Sequence, residues 1–190
     1  MQRKVNVVED LDGNKIVFIH DIIFKGKRSI EWTEVEEYLK QFVGESFVIE
    51  DTKDMLYVGS DFPDEYTHSN YTKLLRGANA KAKANAAQGI PEMLLIAKER
   101  EFEENRKDKH SKNAKYGWYS YVTRFALPVY EENGDIERYN VFRAIMLVRH
   151  AEDNKLYLYD IMKIKKKRAT FSSLKTLLSN KTHFFLESII

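Results

Sequence analysis

A chain of 190 residues with 43% apolar and 32% charged side chains can bury one substantial core, and it carries no cysteine. Disulfides, thiolate metal sites and cysteine nucleophiles are therefore excluded, and stability has to come from packing, as in a reducing compartment. The longest apolar run near the N-terminus, Ile16 to Phe24, is broken by His20 and Asp21 and is too short to span a bilayer or serve as a signal core, so a cytoplasmic location without a membrane partner is expected.

Taken in chain order, Asp12-Gly13-Asn14 is a turn between two strand-favouring runs, Lys4 to Val8 and Lys15 to Phe24, which predicts a small N-terminal hairpin. From Trp32 the apolar positions Val35, Leu39, Phe42 and Val43 recur at helical spacing, with Ser29 as the expected cap and Gly44 as the stop. Two short strands are expected at Phe47 to Ile49 and Met55 to Val58. Pro63 opens a segment that becomes helical towards Leu74 and Leu75, with Gly77 ending it.

Residues 78–88, ANAKAKANAAQ, combine strong helix formers with almost no large side chain, which suggests a closely packed helix. Gly89 and Pro91 interrupt it, and Pro91 suits the start of a second helix carrying Met93, Leu94, Leu95, Ile96 and Ala97 inward. The charged run Lys98 to Lys115 is expected to continue that helix and then to loop out over Lys107 to Asn113. Tyr119 to Tyr130, Tyr139 to His150 and Leu156 to Ile164 predict an antiparallel meander turning at Asn133-Gly134 and Asp153-Asn154. A final helix over Thr170 to Ile190 should cover a sheet face or edge with Leu174, Leu177, Leu178 and Phe184. The expected fold class is α+β: helices packed on a C-terminal antiparallel meander, with a small N-terminal hairpin and helix. An acidic N-terminal segment, 1–66, packs on 67–190 to give one compact unit.

Charge is distributed unevenly. Residues 1–66 hold 8 basic and 15 acidic side chains, whereas residues 106–183 hold 17 basic and 8 acidic. A basic half of this kind points to RNA or another polyanion, with the acidic half masking it or docking a protein partner. The five histidines lie far apart along the chain, so no metal and no cofactor is expected.

The densest functional signal is the stretch from His110 to Tyr121, where a histidine and the lysines Lys112 and Lys115 precede Tyr116, Trp118, Tyr119 and Tyr121, with Arg124 beyond. Aromatic faces can stack on splayed bases while cations hold phosphates. Trp118, Tyr119, Tyr121, Arg124, Arg149, Tyr157, Tyr159, Lys165, Lys166 and Lys167 are accordingly the candidate nucleic-acid contacts. Strand alternation places Tyr139, Val141, Arg143, Ile145, Leu147 and Arg149 on one face, so Arg143 interrupts an apolar row and needs a partner, a sheet end or a ligand. Metal-independent RNA cleavage requires a base, an acid and cations for the phosphorane. His110 and His150 are the candidates for proton transfer, with Lys115 and Arg143 for charge stabilisation.

Helices followed by an antiparallel sheet resemble the layout of the nuclease superfamily of barnase, EndoU, the colicin ribonucleases and ribosome-dependent toxins. The segments Gly117 to Val122, Arg143 to His150 and Lys155 to Ile161, above all Leu156-Tyr-Leu-Tyr-Asp160-Ile, are similar to related phage and mobile-element domains of large polyvalent proteins. This likeness spans roughly residues 78–165. It implies a metal-independent RNase-like or toxin-like domain of a phage or mobile genetic element, with a neutralising protein as a further partner. The alternative is a non-catalytic nucleic-acid-binding or protein-interaction accessory protein. No family catalytic motif transfers residue by residue, so the candidate residues rest on their own chemistry.

Overall fold

The computed structural model describes residues 3–26, 29–105 and 114–167. Its centre is the expected meander: β6 (Trp118–Tyr130), β7 (Ile136–His150) and β8 (Leu156–Lys166), antiparallel throughout. Gly134 and Asn154, in the two connecting turns, both adopt the left-handed backbone that such tight reversals need.

Both N-terminal strand pairs join this meander as its flanks. The hairpin β1 (Val5–Glu9) and β2 (Lys15–Ile19) attaches through a parallel pairing of β2 with β6, and the hairpin β3 (Ser46–Val48) and β4 (Met55–Tyr57) through a parallel pairing of β4 with β8. The result is one eight-stranded mixed sheet, in the order β1-β2-β6-β7-β8-β4-β3, with β5 (Lys98–Glu103) also paired to β6. The strands of the acidic segment 1–66 thus extend the sheet edge to edge, while its helix over Trp32–Leu39 packs on one face.

Among the described residues, five α-helices pack on one face: α1 (Trp32–Leu39), α2 (Phe62–His68), α3 (Asn70–Leu74), α4 (Gly77–Ala86) and α5 (Ile90–Leu95). The main core joins Val35, Leu39, Phe62, Tyr66, Ile90, Met93 and Leu94 of these helices to Tyr121, Phe125, Phe142, Ala144, Met146, Val148, Leu158 and Ile161 of the sheet. A smaller cluster of Ile16, Phe18, Ala126, Tyr139 and Val141, built from strand residues alone, sits on the opposite face. The fold class is α+β, and of the two faces that alternation gives β7, the one carrying Phe142, Ala144, Met146 and Val148 meets the helices.

Local expectations fail in three places. Residues 98–103 form β5 instead of extending α5: pairing with the free edge of β6 overrides a strong helix propensity. That pairing is close, since a Cβ on Gly117 would lie 2.7 Å from the Phe102 ring. Gly77 opens α4 with a left-handed φ of 54°, redirecting the chain after α3. Ser29 does not cap α1, whose N-cap is Glu31. The helix expected over Thr170 to Ile190 lies outside the described residues.

Helix α4 explains why so many alanines occur together. Ala80, Ala82, Ala84 and Ala86 are all buried, and their small side chains let the backbone approach the sheet closely. Asn85, also buried, receives the backbone N–H groups of Ile23 and Phe24 and donates to the carbonyls of Phe24 and Lys81, fixing the chain that leaves β2.

Candidate nucleic-acid interface

The sequence-derived residues divide among three places. Lys115, Tyr116, Tyr119 and His150 gather at the end of the meander. There the His150 ring lies 5.1 Å from that of Tyr116 and 5.9 Å from that of Tyr119, and His150 Nε2 is 2.8 Å from Asn154 Oδ1. Lys115 donates to Glu152 at 2.8 Å, a bond that raises the lysine pKa and ties up its charge. His110 lies outside the described residues.

Arg143 does not join this group. It lies seven residues back along β7, about 23 Å at the usual rise per residue, and strand alternation turns it to the opposite face. His150, Lys115 and Arg143 therefore do not form one cleft. The reason is local: Arg143 and His150 are an odd number of positions apart on one strand, which sends their side chains to opposite faces.

Tyr121 belongs to the core. It is fully buried on the helix side, and its hydroxyl donates to Asp54 at 2.9 Å, with burial and that carboxylate both raising its pKa. It has no face free to stack on a base. Tyr119 is also on the helix side, stacked under the Arg100 guanidinium at 4.2 Å.

The opposite face carries the other candidates in two clusters. At one end Trp118 packs edge-on against Tyr159 at 5.0 Å, and Arg149 lies over Tyr157 at 5.1 Å while ion-paired to Asp61 at 2.8 Å. Arg149, Tyr157 and Asp61, but not Trp118 or Tyr159, line a cleft of about 570 Å³ together with Gly44, Tyr57 and Gly59. Burial raises the Tyr159 pKa, and a hydrogen bond to Glu65 adds to the effect. Carboxylates thus occupy this aromatic end already.

At the other end lies a row of cations. Arg124 stands directly opposite Arg143, and Arg143 directly opposite Lys165, so three adjacent strands present one positive charge each in register. Like charges facing each other across a ladder are unfavourable, with Cβ atoms only about 5 Å apart. Among the described residues, the one carboxylate that reaches the row is Glu99, 3.5 Å from Arg143. The Arg124 Nε is buried and has no hydrogen-bond partner among the described residues. Lys166 and Lys167 follow at the exposed end of β8.

Two polar groupings lie outside the set of candidates drawn from the sequence. Lys83 of α4 and Asp160 of β8 form a fully buried ion pair at 2.5 Å. Lys83 also donates to Thr72 Oγ1 at 2.6 Å and sits over the rings of Tyr66 and Tyr71. Asp160 accepts from Ser69 Oγ at 2.8 Å and from the Ile161 amide at 2.7 Å. Bulges in β8 make this possible, because Asp160 turns towards the helices although its cross-strand partner Leu147 points the other way. Desolvation is the largest influence on both groups, lowering the lysine pKa and raising that of the aspartate. Separately, Glu36 of α1 and Asp64 and His68 of α2 bring ligand-type atoms within 4.8 Å of one another. His68 Nδ1 is 3.1 Å from Asp64 and 3.0 Å from Thr67 Oγ1, which makes the trio a surface ion-pair cluster.

No known protein family, curated protein or solved structure matches the chain. What can be stated of its class is architectural: an α+β domain with helices on one face of an eight-stranded mixed sheet. None of the described helices is long and apolar enough to cross a membrane.

Proposed function

We propose that this protein binds RNA or a comparable polyanion without cleaving it, through the face of the sheet that the described helices leave uncovered. The supporting observation is the in-register row Arg124, Arg143 and Lys165, whose mutual repulsion one carboxylate offsets only in part. A phosphate backbone supplies the missing negative charge, and binding through it releases condensed counterions. A role in a phage or mobile genetic element, and a protein that neutralises this one, belong to the same proposal and rest on the family resemblance.

The RNase alternative requires His150 and a second proton-transfer group to meet a cation at one phosphate, and Lys115 is engaged by Glu152. The deciding experiment is binding of labelled single-stranded RNA in EDTA, followed over a range of salt concentrations. The expected result is binding that weakens steeply with salt and intact RNA at the end. Arg124→Gln, Arg143→Gln and Lys165→Gln together should reduce the salt slope by about 2. A slope that does not change in the folded triple variant defeats the proposal, and cleavage abolished by His150→Ala establishes the enzyme instead.

A further inference from the structure

We infer that the break in the sheet beside Arg124 is a seat for one phosphomonoester group, and thus for the phosphorylated end of a nucleic-acid strand. The inference rests on the polyanion-binding reading for the source of that group, although the seat itself is argued from its own geometry.

Strand β6 has two different neighbours along one edge. β5 accompanies it as far as Val122, paired with Lys98, and β2 takes over at Phe125, paired with Val17. Thr123 and Arg124 therefore have no strand beside them on that edge, a gap of about 7 Å at the usual rise. Hydrogen-bonding groups alternate between the two edges of a strand, so one of these residues directs its amide into the gap. The resulting slot, about 340 Å³, is lined by Gly13, Lys15, Glu50, Asp51, Lys98 and Arg124 among others.

The charges in the slot are not equivalent. Lys15 is ion-paired to Glu50. Lys98 donates to the neutral Asn14 Oδ1 at 3.2 Å, and no described carboxylate lies within ion-pairing distance of it. Arg124 has a buried Nε without an acceptor among the described residues. An unpartnered buried donor costs free energy that a bound anion would recover. Lys98 and Arg124, neither ion-paired among the described residues, outweigh Asp51, the one lining carboxylate left unpaired among them, and with the open strand edge suit a compact anion carrying several acceptor oxygens. Because the opening is two residues long, a chain cannot run through it, and Asp51 on its wall opposes a second phosphate. A strand end can enter where a strand interior cannot.

The test uses the full chain and three probes: a short RNA with a terminal phosphate, the same RNA with terminal hydroxyls, and inorganic phosphate. Binding of the phosphorylated RNA should be about tenfold tighter. Lys98→Gln should erase that preference while leaving hydroxyl-ended RNA bound as before, and a cooperative thermal transition shows that the variant is folded. Equal binding of the two RNAs overturns the inference and leaves the polyanion-binding reading standing. Should neither RNA bind, that reading falls and inorganic phosphate decides the slot alone. A rise in melting temperature in the parent chain but not in Lys98→Gln then assigns the seat to a small phosphate ester, and no rise in either overturns it.

Discussion

The two faces of the sheet handle positive charge in opposite ways. On the helix side a lysine is sealed from water, and every nearby group has been arranged around it: a carboxylate, a hydroxyl and two aromatic rings. On the other side Arg124 and Arg143 are set against each other with a single partial counter-charge. A charge that a fold needs for itself is surrounded by partners from its own chain, whereas one held for an external ligand is left short of them. The comparison separates a structural cation from one proposed to meet an external ligand, without reference to any relative.

The largest effect should come from breaking the buried pair. Lys83→Met leaves Asp160 uncompensated in the core and should cost about 3 to 5 kcal/mol in urea unfolding. The loss should shrink on acidification. Without Lys83 the folded-state pKa of Asp160 rises further above its unfolded value, so the native state takes up the proton first and regains stability as pH falls through that raised pKa. Lys83→Met combined with Asp160→Leu should recover most of the loss. Next in size, Ala84→Leu forces three extra carbons between α4 and the sheet and should cost about 1 to 3 kcal/mol. Tyr121→Phe removes the bond to Asp54, which keeps Arg100 as a partner, and should cost about 1 kcal/mol.

The smallest stability change belongs to the other face. Arg143→Gln relieves a like-charge pair and should alter stability by no more than about 0.5 kcal/mol in either direction, while weakening RNA binding. The core variants, assayed where they remain folded, should bind RNA as the parent chain does. If Lys83→Met weakened RNA binding while Arg143→Gln unfolded the protein, the distinction between the two faces would collapse.

Much of the architecture was legible in the chain. Turn chemistry at Asn133-Gly134 and Asp153-Asn154, together with period-two alternation along β7, is local information, and it located the meander and divided β7 into two faces, though not which of them meets the helices. The parallel docking of β2 and β4 was not, because it depends on partners roughly a hundred residues away and leaves no periodic trace. β5 was read as helix for the same reason: Lys98 to Glu103 has helical composition, and only the free edge of β6 makes it a strand. The site followed this pattern. Arg143 could be singled out because it breaks an apolar row, but Arg124 and Lys165 could be joined to it only once the register was known. Lys83 had a usable signal, a long charged side chain in a helix of alanines with no polar face to carry it, and Asp160 had its counterpart in a strand of apolar and aromatic residues.

The buried pair also orders events in time. It links residues 77 apart in the chain, across the boundary between helices and sheet. The meander closes through tight turns, so β6, β7 and β8 can assemble early, whereas α4 can shed the water around its lysine only when Asp160 is already in place to receive it. Amides in the centre of β7 should then gain protection from hydrogen exchange before those of α4, and Lys83→Met should hasten unfolding far more than it slows folding.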